Sequence, residues 1–204
     1  MSNIKNIIFD LGGVLLDIDY NQTTLAFKKL GVENFDEMFS QLVANDLFVK
    51  LETGHISEMD FYAAIRSCIP TPVTDKMIDL AWNAMMLGFR KECLVFLESL
   101  VPRYNLFLLS NTNAIHLKCF KKIFVRDTGK PLLDCYFNKV WYSHLIGLRK
   151  PTAAIYEFVL KDAGLVANET LFIDDIAANI EGARAVGIKT HLLLPNERIE
   201  QLSL

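Results

Sequence analysis

Asp10 is the residue of this sequence that is best placed to do chemistry, because it directly follows the apolar run IIF. A carboxylate at the end of a buried strand can attack phosphorus and form an aspartyl-phosphate, which water then hydrolyses. Two residues later, where this reaction uses a second carboxylate to carry protons, the chain has Gly12. A glycine can neither protonate a leaving oxygen nor deprotonate a water molecule. The segment therefore predicts a phosphoryl-transfer nucleophile without its usual proton donor.

Further polar residues follow the other predicted strands or lie in the loops between them: Ser110, Asn111, Lys150, Asp174 and Asp175. In an open parallel sheet, ligands bind at the carboxyl ends of the strands, so we expect these side chains to meet Asp10 at one edge. Lys150 would place a positive charge against phosphoryl oxygens, and Ser110 would donate a hydrogen bond to them. The carboxylates and the backbone carbonyl of Gly12 are the oxygen donors that Mg²⁺ prefers.

Each of these residues also has an ordinary structural explanation. A lysine before a proline is usually a loop residue, and a serine at a strand end usually forms a turn. Adjacent acidic residues before a helix commonly cap it and complement its dipole. The segments taken together with Asp10 favour the catalytic interpretation.

The elements that must position these residues follow from the hydrophobic pattern. Apolar runs of strand length occur at 4–9, 106–109, 139–142, 170–173 and 190–194. Helical patterns cover 92–100, 153–162 and 178–186, and Gly164 and Gly187 follow the last two as left-handed caps. This alternation predicts an α/β fold, a three-layer, Rossmann-like parallel sheet with five main strands.

The stretch between the first two strands differs from the rest, because helical patterns follow one another there with breaks at glycines and prolines. We predict a helical cap domain over 17–88, inserted between the two parts of a core domain at 1–16 and 89–204. The connections near Leu16 and Gly88 are the expected hinges.

Some polar residues in and near this insertion are expected to be structural. Ser57 and Asp60 have the spacing of a capping box. Glu52 and His55 just before them could face a substrate, but we expect them at a solvated helix junction. His116 could reach a substrate, but we expect it to be an exposed helix residue.

Composition excludes several classes of protein. The 204 residues are 51% hydrophobic and carry a net charge of −3, which suits a globular domain and not a nucleic-acid-binding protein. Four cysteines without metal-ligand spacing indicate reduced thiols. No apolar run has the length of a membrane span, so we expect a cytoplasmic protein with no membrane partner. The oligomeric state does not follow from the sequence.

Four segments, FDLGGVL, LLSNTN, LRKP and FIDDIAANIEGA, resemble in order the four motifs of the haloacid dehalogenase (HAD) superfamily. The helical insertion after the first motif resembles the C1 cap of that superfamily. The glycine variant of the first motif is most similar to the sugar-phosphate phosphatases within it. This resemblance implies hydrolysis of a small phosphorylated metabolite, such as glucose 1-phosphate, through an aspartyl-phosphate.

The resemblance also implies roles for individual residues. Asp10 would be the nucleophile and Lys150 its catalytic partner, with Ser110, Asn111 and Lys150 binding the substrate phosphate. The cofactor would be Mg²⁺, held by Asp10, the carbonyl of Gly12, Asp174 and Asp175. Asp175 would coordinate the ion directly, and Asp174 would do so directly or through water. Most phosphatases of the superfamily have an aspartate where this chain has Gly12.

Three alternatives stay open at this stage. A dehalogenase also uses a carboxylate nucleophile but needs no metal, and the pair Asp174 and Asp175 speaks against it. A non-catalytic phosphate-ligand or protein-binding module is favoured by Gly12 but not by the retained charges. Asp17 or Asp19 could replace the missing proton carrier, although Asp19 is explained as a helix N-cap and Asp17 as a turn residue.

Overall fold

A computed structural model of the chain describes residues 4–37, 39 and 46–204. Its strands are β1 (Asn6–Phe9), β2 (Leu16–Ile18), β3 (Met86–Phe89), β4 (Asn105–Ser110), β5 (Lys139–Tyr142), β6 (Thr170–Asp174) and β7 (Lys189–Leu192). The main sheet has the order β5-β4-β1-β6-β7, and every neighbouring pair in it is parallel. The predicted parallel sheet of five strands is confirmed.

Helices separate most of the strands along the chain. They are α1 (Tyr20–Lys29), α2 (Leu47–Glu52), α3 (Glu58–Ser67), α4 (Asp75–Asn83), α5 (Lys91–Leu100), α6 (Ala114–Thr128), α7 (Ser143–Ile146), α8 (Ala153–Asp162) and α9 (Ala177–Ala185). Shorter 3₁₀ turns occur at Leu133–Tyr136, Ala167–Glu169 and Ile199–Gln201. Gly164 and Gly187 have φ of +63° and +85°, as predicted for left-handed caps.

The central strand β1 is buried on both faces, because the sheet is the middle layer of the core. Ile7 and Phe9 belong to one apolar cluster, whereas Ile8 belongs to another, together with Phe172. Because side chains alternate along a strand, the continuous apolar run IIF serves both clusters. The end of β1, where Asp10 follows, is therefore held from both sides.

Helices α1 to α4 pack around an apolar cluster that includes Phe27, Phe61 and Trp82, and Ile115 of α6 also belongs to it. Ser57 and Asp60 form the predicted capping box, since the Ser57 hydroxyl accepts a bond from the Asp60 N–H and Asp60 accepts one from the Ser57 N–H. The helical cap domain over 17–88 and its boundaries remain a prediction.

The two expected hinges are paired with each other. Strands β2 and β3 form an antiparallel ribbon in which Leu16 pairs with Phe89 and Asp17 with Gly88. The insertion is therefore not helical up to its end, since β3 begins at Met86. The two connections are therefore joined by backbone hydrogen bonds into one ribbon and are not independent linkers.

Two further predictions concern the whole chain. All four cysteines carry free thiols, as expected. Among the described residues, no helix combines the length and the apolar composition that crossing a bilayer needs.

Candidate active site

Asp10, Lys150 and Asp174 meet at the carboxyl edge of the main sheet. Asp10 directly follows β1, and Asp174 is the last residue of β6, which pairs with β1. The Lys150 Nζ donates to Asp10 Oδ1 and to Asp174 Oδ2, both at 2.7 Å. The structure therefore brings together three of the residues that the sequence placed at this edge.

Lys150 is an ammonium group almost without access to solvent, since its side chain is 1% exposed. Burial opposes its positive charge, but Asp10 and Asp174 raise its pKa above the ordinary lysine value. The Nζ also lies 5.3 Å from the centroid of the Phe172 ring, whose face attracts a cation. Lys150 is consequently a fixed positive charge within the site.

Asp174 is fully buried and held at both carboxylate oxygens. Its Oδ1 accepts from the Ile176 N–H at 2.8 Å, and the Asn179 side-chain amide lies 3.1 Å from Oδ1 and 3.0 Å from Oδ2. Asn179 belongs to α9, so this helix and Lys150 together fix the orientation of the carboxylate.

Asp175 completes a cluster of three carboxylates. One oxygen each from Asp10, Asp174 and Asp175 lies within 4.8 Å of the others. Burial raises the pKa of Asp175, and the charge of Asp174 raises it further. Gly13, at φ +75°, has no Cβ, and one built there would overlap the Asp175 carboxylate. The loop after β1 thus leaves room for this third carboxylate.

Asp10 has an unusually high proton affinity for an aspartate. Burial raises its pKa to about 7, against the lowering effect of Lys150, and the charge of Asp174 adds to the increase. When all three carboxylates are ionised beside the one ammonium, two negative charges are in excess, the charge that one divalent cation neutralises. The site is therefore suited to a cation of that charge.

Asn111 supports Lys150 from the end of β4. Its amide oxygen accepts from the Lys150 N–H at 2.9 Å, and its amide nitrogen donates to the Lys150 carbonyl at 3.0 Å. Both ends of the amide are therefore bonded to the lysine backbone. Ser110, the last residue of β4, is buried at the same edge. Phosphate binding by Ser110 and Asn111 stays a prediction.

Gly12 lies close to Ile18 in the β2 strand. A Cβ built on Gly12 would come within 2.6 Å of Ile18 Cδ1, the far end of that side chain. A larger residue at position 12 would therefore require Ile18 to move. The backbone carbonyl of Gly12 remains the predicted fourth oxygen ligand of a metal ion.

A cavity of about 650 Å³, the aromatic cavity, opens next to Asn111. Its lining includes the rings of Phe35, Phe39, Phe48 and Trp82, and the charged residues Glu52 and Arg149. Glu52 Oε2 accepts from Arg149 Nε at 2.9 Å. The expectation of a solvated helix junction was wrong for Glu52, because the end of α2 meets the loop that carries Lys150.

Sequence reasoning missed Arg149 altogether. Its position directly before Lys150 was the available signal, since neighbours of a catalytic loop residue commonly face the ligand. The Glu52 carboxyl is partly desolvated in this position, and burial raises its pKa despite the lowering effect of Arg149.

His116 is half-buried, so the expectation of an exposed helix residue was wrong. Its ring stacks on Trp82 with centroids 5.2 Å apart, and Nδ1 lies 2.8 Å from Asn83 Oδ1. The Asn83 amide nitrogen donates to Asp79, so its oxygen accepts and the proton lies on His116 Nδ1. Burial lowers the pKa of His116 to about 3, which keeps the imidazole neutral.

The two carboxylates considered as substitute proton carriers are engaged elsewhere. Asp19 caps α1, as predicted, and accepts from the Asn21 N–H at 3.0 Å. Asp17 lies in β2 and not in a turn, and it forms ion pairs with Arg90 and Arg198. We therefore assign no proton-transfer role to either residue.

Comparisons with known proteins agree with this geometry. The sequence profile of haloacid dehalogenase-like hydrolases matches residues 4–187. D-ribitol-5-phosphate phosphatase of Bacteroides thetaiotaomicron is 34% identical to the chain over 191 residues, covering 92% of this chain and 90% of the relative. The resemblance seen in the four motifs is thereby confirmed.

Solved structures show the same architecture. A HAD family enzyme of Bacteroides thetaiotaomicron, in complex with magnesium and inorganic phosphate, has a TM-score of 0.88 and 36% identity, covering 96% of this chain and 97% of that one. A predicted HAD-like family hydrolase of Porphyromonas gingivalis has a TM-score of 0.84 and 34% identity, covering 96% and 94%. The predicted fold class is confirmed.

Proposed function

The chain belongs to the haloacid dehalogenase-like hydrolases, and we propose that it is a Mg²⁺-dependent phosphatase of a small phosphorylated metabolite. The observation that carries this proposal is the buried contact of Lys150 with Asp10 and Asp174, beside the third carboxylate of Asp175. The D-ribitol-5-phosphate phosphatase and the enzyme in complex with magnesium and phosphate support it, because they are similar over nearly the whole chain.

The residues present fit a magnesium ion. Hard oxygen donors, two excess negative charges and carboxyl groups whose pKa is raised by burial all favour replacement of protons by a cation. Mg²⁺ would be held by Asp10, Asp175 and the Gly12 carbonyl, and by Asp174 through water, since protein donors already occupy both Asp174 oxygens. When bound, the ion neutralises charge on the phosphoryl oxygens.

Asp10 acts as the nucleophile. Lys150 binds Oδ1, so Oδ2 attacks phosphorus, and the bond from phosphorus to the substrate's leaving oxygen breaks. Water then attacks the phosphorus of the aspartyl-phosphate, which releases inorganic phosphate and regenerates the carboxylate. Lys150 keeps its proton throughout and stabilises the negative charge that the phosphoryl group brings into the site.

Gly12 sets a condition on the substrate. Without a carboxylate at this position, the leaving oxygen departs without a local proton donor, which favours leaving groups of low basicity. An anomeric sugar phosphate such as glucose 1-phosphate meets this condition, and an acyl phosphate meets it better. From ribitol 5-phosphate, ribitol leaves as an ordinary alkoxide, so this substrate needs a proton donor more than glucose 1-phosphate does.

A panel assay tests this function. Phosphate release is measured from glucose 1-phosphate, ribitol 5-phosphate, acetyl phosphate and p-nitrophenyl phosphate, with Mg²⁺ and after chelation with EDTA. We expect release from at least one sugar or polyol phosphate, loss of release in EDTA and recovery when Mg²⁺ is restored.

The other outcomes of this assay identify the alternatives. Release that persists in EDTA would contradict a magnesium phosphatase, and halide release from a 2-haloacid in EDTA would indicate a dehalogenase. Tight binding of these esters with no turnover of any of them would favour the non-catalytic module.

A further inference from the structure

Resting on the proposed function, we propose that the Glu52–Arg149 pair binds hydroxyl groups of the substrate's organic part and so selects polyol or sugar phosphates. Both side chains line the aromatic cavity, and neither belongs to the carboxylate cluster. The pair is a specificity device next to the site of phosphoryl transfer.

Arg149 is held at a fixed distance from the phosphate site. It directly precedes Lys150, whose backbone N–H and carbonyl are both bonded to the Asn111 side chain. The Thr152 hydroxyl donates to the Arg149 carbonyl at 2.7 Å, which restrains the other side of the loop. Asn111 also lines the aromatic cavity, so a substrate whose phosphoryl group contacts Lys150 would meet Arg149 where its organic part enters that cavity.

Glu52 is the last residue of α2, and the turn after it is packed against α7. Gly54 has φ of +69°, and a Cβ built there would overlap the carbonyl oxygen of His144 in α7. This close backbone approach places the end of α2 against the part of the chain that follows β5. The Glu52 carboxylate is thus brought to the cavity by a tight contact that any larger residue at position 54 would break.

The pair retains free hydrogen-bonding capacity. Arg149 Nε and Nη2 both lie 2.9 Å from the same Glu52 oxygen, Oε2. Among the described residues, no hydrogen bond reaches Glu52 Oε1 or Arg149 Nη1. The two side chains are 26% and 32% exposed, which leaves room for an acceptor and a donor to meet a ligand. A hydroxyl group can donate to the first and accept from the second.

Charge burial favours a hydroxylated substrate over an apolar one. A ligand that fills the aromatic cavity removes water from both charges, and that desolvation is costly unless the ligand supplies hydrogen bonds. A polyol or sugar supplies them, while its C–H groups contact the apolar lining of the cavity. An alkyl phosphate of the same size supplies none.

Two matched substrate pairs test this inference. Ribitol 5-phosphate is compared with pentyl phosphate, and glucose 1-phosphate with cyclohexyl phosphate. The second pair also differs in the basicity of its leaving group, and the comparison of each variant with wild type cancels that difference. In wild type and Glu52→Gln, kcat/KM is measured for whichever pair is hydrolysed, and Kd is measured in the Asp10→Asn background. We expect Glu52→Gln to lower the preference for the hydroxylated member by about 10- to 100-fold, the loss of a charge-assisted hydrogen bond.

Glu58→Gln is the matched control. Glu58 in α3 pairs with Lys118 in α6 at 2.6 Å, so it also joins the helical insertion to the core, but it does not line the aromatic cavity. We expect its substrate preference to equal that of wild type. Equal losses for both members of a pair in Glu52→Gln would contradict selection and indicate a structural role. Wild type without turnover, but with hydroxyl-dependent binding lost in Glu52→Gln, would overturn the proposed function and not this inference.

Discussion

The carboxylate cluster with Lys150 and the aromatic cavity share a boundary at Asn111, but different forces stabilise them. In the cluster, Asp10 and Asp174 are buried and both are bonded to Lys150, whose side chain is only 1% exposed. In the cavity, Phe39, Phe48 and Trp82 stack at centroid distances of 4.7 and 5.2 Å, beside an ion pair with unused atoms. The cluster therefore depends on charge balance, and the cavity depends on ring packing.

Because of this difference, we expect the two regions to have different functions. Buried charges on strand ends tolerate little displacement, which suits a reaction that needs a nucleophile at a fixed position. The cavity is built from helices α1, α2 and α4, whose side chains can change without disturbing the strand ends. Chemistry is therefore expected to belong to the cluster and substrate choice to the cavity.

Among the variants that test this comparison, Asp10→Asn is expected to have the largest effect on the rate of phosphate release. The amide cannot form an aspartyl-phosphate, so phosphate release should fall by roughly 10⁴-fold or more for every substrate. Release is measured with Mg²⁺ present, and circular dichroism checks that the variant folds. Retained activity above a few per cent would remove Asp10 as the nucleophile.

Lys150→Met tests whether charge balance holds the cluster together. The substitution leaves Asp10 and Asp174 buried without their common counter-ion, so unfolding free energy should fall by about 3–5 kcal/mol. Denaturant unfolding in EDTA measures this loss, and added Mg²⁺ should recover part of it. The control is Lys139→Met, which breaks the more exposed pair with Asp162. Equal losses in the two variants would show that burial of the charges is not decisive.

Gly12→Asp, combined with Ile18→Val, tests whether the absence of a proton carrier at position 12 limits the rate of hydrolysis. The valine removes the atom that a Cβ at position 12 would meet, Ile18 Cδ1. The new carboxylate should speed hydrolysis of alkyl phosphates by roughly 10²-fold, the lower end of general acid–base catalysis. p-Nitrophenyl phosphate, whose leaving group needs little protonation, should gain much less. The Ile18→Val single variant is the control, and equal gains for both esters would contradict this role.

His116, which stacks on Trp82 of the aromatic cavity, makes the free energy of unfolding depend on pH. Its pKa is lowered to about 3 in the folded protein, so as the pH falls through the ordinary value of 6.5 only the unfolded chain takes up the proton. Stability is therefore present at neutral pH and lost on acidification, by about 2 kcal/mol between pH 7 and pH 5. His116→Asn should remove that part of the pH dependence, whereas His55→Asn, at an exposed position, should not. Unfolding curves at both pH values measure it.

The sequence predicts the fold well because the signals are local. The run IIF before Asp10 and the glycines after α8 and α9 report burial and helix ends within a few residues. The meeting of Asp10, Lys150 and Asp174 was predictable too, since strand ends in a parallel sheet share an edge.

The cavity was not predictable, because it depends on long-range contacts. Glu52 and Arg149 are 97 positions apart, and nothing in either local pattern indicates that they meet. The stacking of His116 on Trp82 depends likewise on how α4 packs against α6. The pairing of β2 with β3 was missed because each strand is too short to show clear alternation.

The most direct test of separate tasks is one set of kcat/KM values for wild type, Asp10→Asn and Glu52→Gln, measured in Mg²⁺ with a hydroxylated ester and its alkyl counterpart. We predict that Asp10→Asn abolishes hydrolysis of both esters, while Glu52→Gln lowers it selectively for the hydroxylated one. Substantial hydrolysis by Asp10→Asn, or an equal loss for both esters in Glu52→Gln, would contradict the division between chemistry and selection.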